Sequence, residues 1–115
     1  MARGDVVLVN LPEVASAGHE QIGRRPALVV HDDATENALS VIMIVPFTSN
    51  LNAKRFPHTI IVPPSHQNGL SVESILLVFQ LRAIDRNRIS KVLGHLEKEI
   101  LVQVDKELRS LLGLA

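Results

Sequence analysis

The sequence predicts a mainly β fold with α: five or six strands forming a small barrel or strongly bent sheet, with one C-terminal helix packed on it. Three observations carry this. Short runs rich in Val, Ile and Leu recur between residues 4 and 96, separated by Gly, Pro, Asn and Asp. Only the last stretch shows a helical period. The 115 residues suffice for one core but not two, so residues 1–115 are read as one domain.

GDVVLVNL, residues 4–11, is the first strand and ends at Pro12. PEVASAGHEQIGRR, residues 12–25, is polar and aperiodic, and long loops in small domains are often functional. PALVVH resumes a strand with Pro26 as its first residue, where no ladder donor is needed. HDDATENA is a turn or loop, and LSVIMIVPFT, the most apolar segment, is a central strand whose pairing Pro46 interrupts. HTIIVP is a further strand after the polar SNLNAKRFP, and PSHQNGLS turns at Asn68 and Gly69. ESILLVFQLRAI and RISKVLGHL complete the strands. In EKEILVQVDKELRSLLG, residues Ile100, Leu101, Val104, Leu108, Leu111 and Leu112 share one face. Gly113 caps the end, while Glu97, Glu99 and Arg109 suit the helix dipole.

Composition narrows the function. Absence of cysteine removes disulfides, thiolate nucleophiles and sulfur-based zinc sites, consistent with a reducing cytoplasm. The apolar run Val41–Phe47 is much shorter than the roughly 20 residues that span a bilayer, and the N-terminal run is too short for a signal-peptide core, so no membrane role is expected. Twelve Lys and Arg balance twelve Asp and Glu, so no global field attracts nucleic acid. RAIDRNRISK, residues 82–91, is a local basic patch with four cations and one carboxylate. Phe47, Phe56 and Phe79 are the only aromatics, leaving few platforms for base stacking.

Several pairs of residues invite a chemical reading. HEQIG begins like a zinc-protease motif but has Gly23 where the second histidine belongs, and no metal or other cofactor is expected. Asp32 and Asp33 suit a turn, and His95 and Glu99 straddle the helix start as surface residues. His31, His58, His66 and His95 are scattered, whereas His19 adjoins Glu20 in the loop leading to two arginines. Thr48 and Ser49 offer hydroxyls to a phosphate or satisfy a turn. Arg24 and Arg25 form a clamp for a phosphate or carboxylate, or else guard a strand edge with charge.

Taken in order, RGDVVLVNL, GHEQIGRRPALVV, VPFTS, NGLSVES and QLRAIDRNRI, followed by the helix, resemble the MazF/PemK family of toxin endoribonucleases, the toxic halves of type II toxin-antitoxin pairs. The likeness spans almost the whole chain; its specificity lies in the ordered set, since RGDV or RRP alone is common. It implies an SH3-like barrel with a helix, a homodimer, and metal-independent, sequence-specific cleavage of single-stranded RNA such as mRNA. The family's catalytic arginine falls on Arg25 and its catalytic threonine or serine on Thr48. Its loop glutamate and glutamine fall on Glu20 and Gln21, and Arg82 matches a position often basic and near RNA. The chain departs from the pattern at His19, where members often carry serine, and at Arg24.

The resemblance implies attack by the ribose 2'-OH, giving a 2',3'-cyclic phosphate and a 5'-OH. Arg25 and Thr48 are the expected donors to the phosphorane, with Glu20, His19 or water as base. RNA contacts are expected from Gln21, Arg24, Ser49, Lys54, Arg55, Gln80, Arg82 and Arg86. A cognate antitoxin with an acidic or amphipathic C-terminal segment would compete for the same groove. Two other readings stand beside this one: a gyrase-inhibiting toxin of similar fold, and a non-catalytic barrel that binds RNA or protein.

Overall fold

The computed structural model describes residues 1–11, 23–32 and 39–114. Seven strands are present: β1 (Asp5–Leu11), β2 (Gly23–Val29), β3 (Val41–Thr48), β4 (Thr59–Val62), β5 (Ser74–Leu77), β6 (Arg82–Asp85) and β7 (Ile89–His95), followed by helix α1 (Lys98–Leu111). They form one antiparallel sheet in the order β4-β5-β3-β2-β1-β7, with β6 also paired to β3. A mainly β fold carrying a C-terminal helix is therefore present, with one or two more strands than expected.

Strand alternation divides the side chains between two cores. Val7 and Val9 of β1, Ala27 and Val29 of β2, and Ile42 and Ile44 of β3 join Leu11 and Ile84 in one. Val6, Leu28, Val45 and Phe47, on the opposite parity, join Ile60, Val62, Leu76, Leu96 and Val104 in the other. Burial on both faces explains why these strands read as nearly unbroken apolar runs. The first core is enclosed because β6 and β7 lie at opposite ends of the run β7-β1-β2-β3-β6, yet only the 3-10 turn Arg86–Arg88 separates them in sequence. That short link bends the sheet strongly; the pairing path itself stays open among the described residues.

The structure corrects the sequence reading at several places. β2 begins at Gly23, not Pro26, because its pairing with β1 extends through Arg25–Val9, Arg24–Asn10 and Gly23–Leu11. Pro26 is thus the fourth residue of the strand. ESILLVFQLRAI is not one strand: continuing the Phe47–Leu76 register along β3 would set Phe79 opposite Ile44, but Arg82 stands there. Three residues, Val78–Gln80, are looped out as a 3-10 turn so that β5 and β6 can both use the same edge of β3. SNLNAKRFP contains another 3-10 turn, Leu51–Arg55, capped by the Asn50 side chain.

Helix α1 covers the second core with Val104 fully buried and Ile100, Leu101, Leu108 and Leu111 packed beside it. Leu112 is 55% exposed, because it is the C-cap and lies beyond the helical face. Gly113 takes a φ of 71°, and bonds from its N–H to Ser110 O and from Leu114 N–H to Arg109 O complete a Schellman stop. Among the described residues no helix is long and apolar enough to cross a membrane.

At the helix start, the turn before β5 is bolted down. Asn68 is fully buried; its amide donates to Pro63 O at 3.0 Å and to Glu97 Oε1 at 3.1 Å, while its Oδ1 accepts from Ser65 N and Leu70 N. Ser65 Oγ donates to Glu97 Oε2 at 2.7 Å. Burial raises the Glu97 pKa, but hydrogen bonds from Ser65, its own backbone and Asn68 outweigh it, and the net shift is below the ordinary 4.5.

Candidate active site

One proline opens the site. β2 leaves the β3 ladder at Ala27–Pro46 yet stays paired with β1, while β3 passes on to β5 through Phe47–Leu76 and Thr48–Ile75. Val30 N–H bonds Met43 O, so the hydrogen-bonded pairs of this ladder are Val30–Met43 and Leu28–Val45, and the next donor would come from residue 26, where proline has none. Each strand end is held by a different neighbour, and between them lies a cleft of about 190 Å³ lined by Arg24, Arg25, Phe47, Ser49, Ser71 and Ser74 among others. Extending the Ala27–Pro46 register by two residues brings Arg25 opposite Thr48.

Thr48 is buried, 7% exposed, and its Oγ1 accepts the Asn50 N–H at 3.2 Å. That bond orients the oxygen and leaves the hydroxyl hydrogen as the group to donate. Arg25 is half-buried and Arg24 exposed, and both line the cleft. A permanent cation and a neutral hydroxyl donor at one strand opening suit an oxyanion with more than one negative charge.

The other expected site residues separate into groups. Ser49 shares the cleft with the arginines. Arg55 and Gln80 meet instead at an adjoining cavity of about 110 Å³, with Asn50, Asn52, Phe56 and Phe79. Lys54 donates to Thr59 O at 3.2 Å, on the 3-10 turn that follows Thr48 and Ser49. Arg82 sits opposite Ile44, four residues back along β3. Arg86 is drawn away from the cleft: its Nε and Nη2 donate to Leu39 O at 3.3 and 3.2 Å, beside the far end of β3, roughly 20 Å from Thr48 at 3.3 Å per residue. His19, Glu20 and Gln21 lie outside the described residues, as does Asp33.

The described histidines are dispersed. His31 is buried with Nδ1 accepting from Met43 N, His58 pairs with Glu107 at 2.9 Å, His95 with Asp5 at 3.0 Å, and His66 is exposed. Asn50, Asn52, Phe56, Phe79, Ser71 and Ser74 were missed in the sequence; only the nearness of Asn50 and Asn52 to Thr48 could have signalled any of them.

A family model described as PemK-like, MazF-like toxin of type II toxin-antitoxin system matches residues 2–112. The chain belongs to this family. Endoribonuclease EndoA of Bacillus subtilis is 30% identical over 112 residues, 97% of this chain and 94% of the relative. The crystal structure of MazF from Deinococcus radiodurans superposes with a TM-score of 0.78 at 34% identity, covering 99% of this chain and 97% of the other. A MazE-MazF structure from the same organism gives 0.75 at 33% identity, covering 100% and 97%. The match runs through both strand ends of the cleft.

Proposed function

We propose that this chain is the toxin of a type II toxin-antitoxin pair, a cytoplasmic, homodimeric, sequence-specific endoribonuclease that cuts single-stranded RNA without a metal. The observation that carries the reading is that β2 and β3 separate just where Arg25 and Thr48 stand, each two residues beyond the last pair, Ala27–Pro46. A small SH3-like barrel is the fold this reading takes, and the two cores that pack Ala27 and Phe47 support it.

In the reaction, the lone pair of the ribose O2' forms a bond to phosphorus and the P–O5' pair leaves with O5'. The proton from the 2'-OH passes to Glu20, His19 or water, and O5' receives a proton from Arg25 or solvent. The pentacoordinate phosphorane carries additional negative charge. Arg25 stabilises it with a two-pronged charge-assisted contact and Thr48 with its hydroxyl. Arginine is too basic to accept a proton near neutrality, so charge stabilisation is its main task. Arg24, Lys54, Arg55 and Arg82 supply the phosphate contacts, a small number that keeps the salt dependence modest. Relatives include a MazE-MazF complex; here an acidic or amphipathic antitoxin segment would occupy the same cleft and exclude RNA.

The test is to incubate the purified protein with defined RNA in EDTA and map the cut ends. Cuts with 5'-OH ends are expected. Arg25→Ala and Thr48→Ala should each lower kcat by about 10²- to 10³-fold, as removal of one oxyanion donor does, and Thr48→Ser should retain most of it. Wild-type rates in either alanine variant, or gyrase inhibition with no RNA cleavage, would overturn the proposal.

A further inference from the structure

Phe56 and Phe79 are 23 positions apart in sequence, but the fold sets their ring centroids 5.5 Å apart at an interplanar angle of 52°. Neither ring belongs to either core, and both are only half-buried. Arg55 places its guanidinium carbon 4.7 Å from the Phe56 ring centroid. All three border the same cavity as Asn50, Asn52 and Gln80. Two of the chain's three aromatic residues are thus spent on one surface pocket rather than on the interior.

How they come there is visible in the backbone. Phe79 is on the three-residue loop-out between β5 and β6, which a continuous strand would have kept in the ladder. Phe56 is the C-cap of the 3-10 turn that follows Thr48, and Asn50 of the cavity wall is the residue whose N–H binds Thr48 Oγ1. The pocket is therefore coupled directly to the proposed catalytic hydroxyl.

From this we infer that the Phe56–Phe79 wedge, with Arg55, is a stacking subsite for one unpaired base of the RNA chain, held beside the scissile linkage. Aromatic faces and a guanidinium plane are what an unstacked base needs on its flat sides, and the amides of Asn50, Asn52 and Gln80 are positioned around the pocket to meet its polar edge. Scarcity of aromatic residues in the sequence is offset by their concentration in space. The inference rests on the ribonuclease reading above.

The experiment measures binding of a labelled, non-cleavable RNA, 2'-deoxy at the cut position, to the full chain and to Phe79→Leu, Phe56→Leu and Phe79→Tyr. Loss of one stacked base should weaken binding by about 5- to 150-fold in each leucine variant, while the tyrosine variant, which keeps the ring, binds as wild type. With cleavable RNA, KM should rise by the same factor and kcat should not change. A scan of single abasic positions should find one that reproduces this loss in wild type and adds nothing in Phe79→Leu. If Phe79→Leu does not fold, judged by its thermal melt, Phe56→Leu and the wild-type abasic scan still decide. Leucine variants that bind as wild type, or abasic penalties that are equal in wild type and Phe79→Leu at every position, would overturn the subsite alone. A wild-type protein that cuts no RNA would overturn the ribonuclease reading and the subsite together.

Discussion

Replacing Asn68 by alanine should unfasten the turn that carries one wall of the cleft. Four hydrogen bonds vanish at once, and the loss is not symmetrical. The Ser65 and Leu70 N–H groups and the Pro63 carbonyl keep their desolvation penalty but lose their partner, and the Leu70 bond is buried. Each bond nets about 1 kcal/mol, and a buried group left unpaired costs about 1–3 kcal/mol more. Partial relaxation and water entry reduce the sum, giving a loss of about 3–5 kcal/mol. At about 4 °C per kcal/mol for a chain of this size, Tm should fall by roughly 12–20 °C. Urea melts with an unchanged m-value would show that native stability, not the unfolded state, has altered. Because Leu70, Ser71 and Ser74 face Arg25 across the cleft, RNA cleavage should also fall at temperatures where the variant remains folded. A Tm within a few degrees of wild type would refute the claim that the Asn68 bonds hold this turn.

Two further predictions concern the same corner. Glu97 is held below its ordinary pKa of 4.5 in the folded chain, so its contribution to stability is complete above that value and disappears as pH falls through the lower, folded-state pKa. Glu97→Gln should flatten this acid limb in melts taken from pH 6 downward; an unaltered limb would assign it to other carboxylates. Gly94→Ala would set a Cβ 2.3 Å from Gln67 O and 2.6 Å from the Asn68 carbonyl carbon, with backbone on both counts. Overpacking against main chain should cost about 3 kcal/mol, read as a lower urea midpoint, and a neutral outcome would mean that the turn and β7 are not in close apposition.

The strand runs and the helix were legible because their side chains have one requirement each. Val6, Val7, Val9 and Leu11, Ala27 to Val29, and Ile42, Ile44, Val45 and Phe47 must be buried, and Ile100, Leu101, Val104, Leu108 and Leu111 repeat at the helical period. The break at Val78–Gln80 was not legible: the apolar run of residues 75–79 continues into it, and only the competition of β5 and β6 for one edge of β3 requires three residues to leave the ladder. Nor could Arg86 be separated from Arg24 by composition; both are cations near apolar strands, but one is spent on the Leu39 carbonyl and the other lines the cleft. Pro26 was read as a strand start because its missing donor fits there equally well; pairing of Arg24 and Arg25 with β1 moved it inward.

By itself the sequence determined the class of fold, the terminal helix with its glycine stop, and the likeness that singled out Arg25 and Thr48, because periodicity and ordered motifs are properties of neighbours along the chain. Tertiary structure alone decided that Arg25 and Ser49 line one cleft where β2 leaves β3, and that Phe56 and Phe79 share a pocket. Both depend on register between distant strands, and register is fixed by burial on two faces at once, a condition that no local stretch of residues contains.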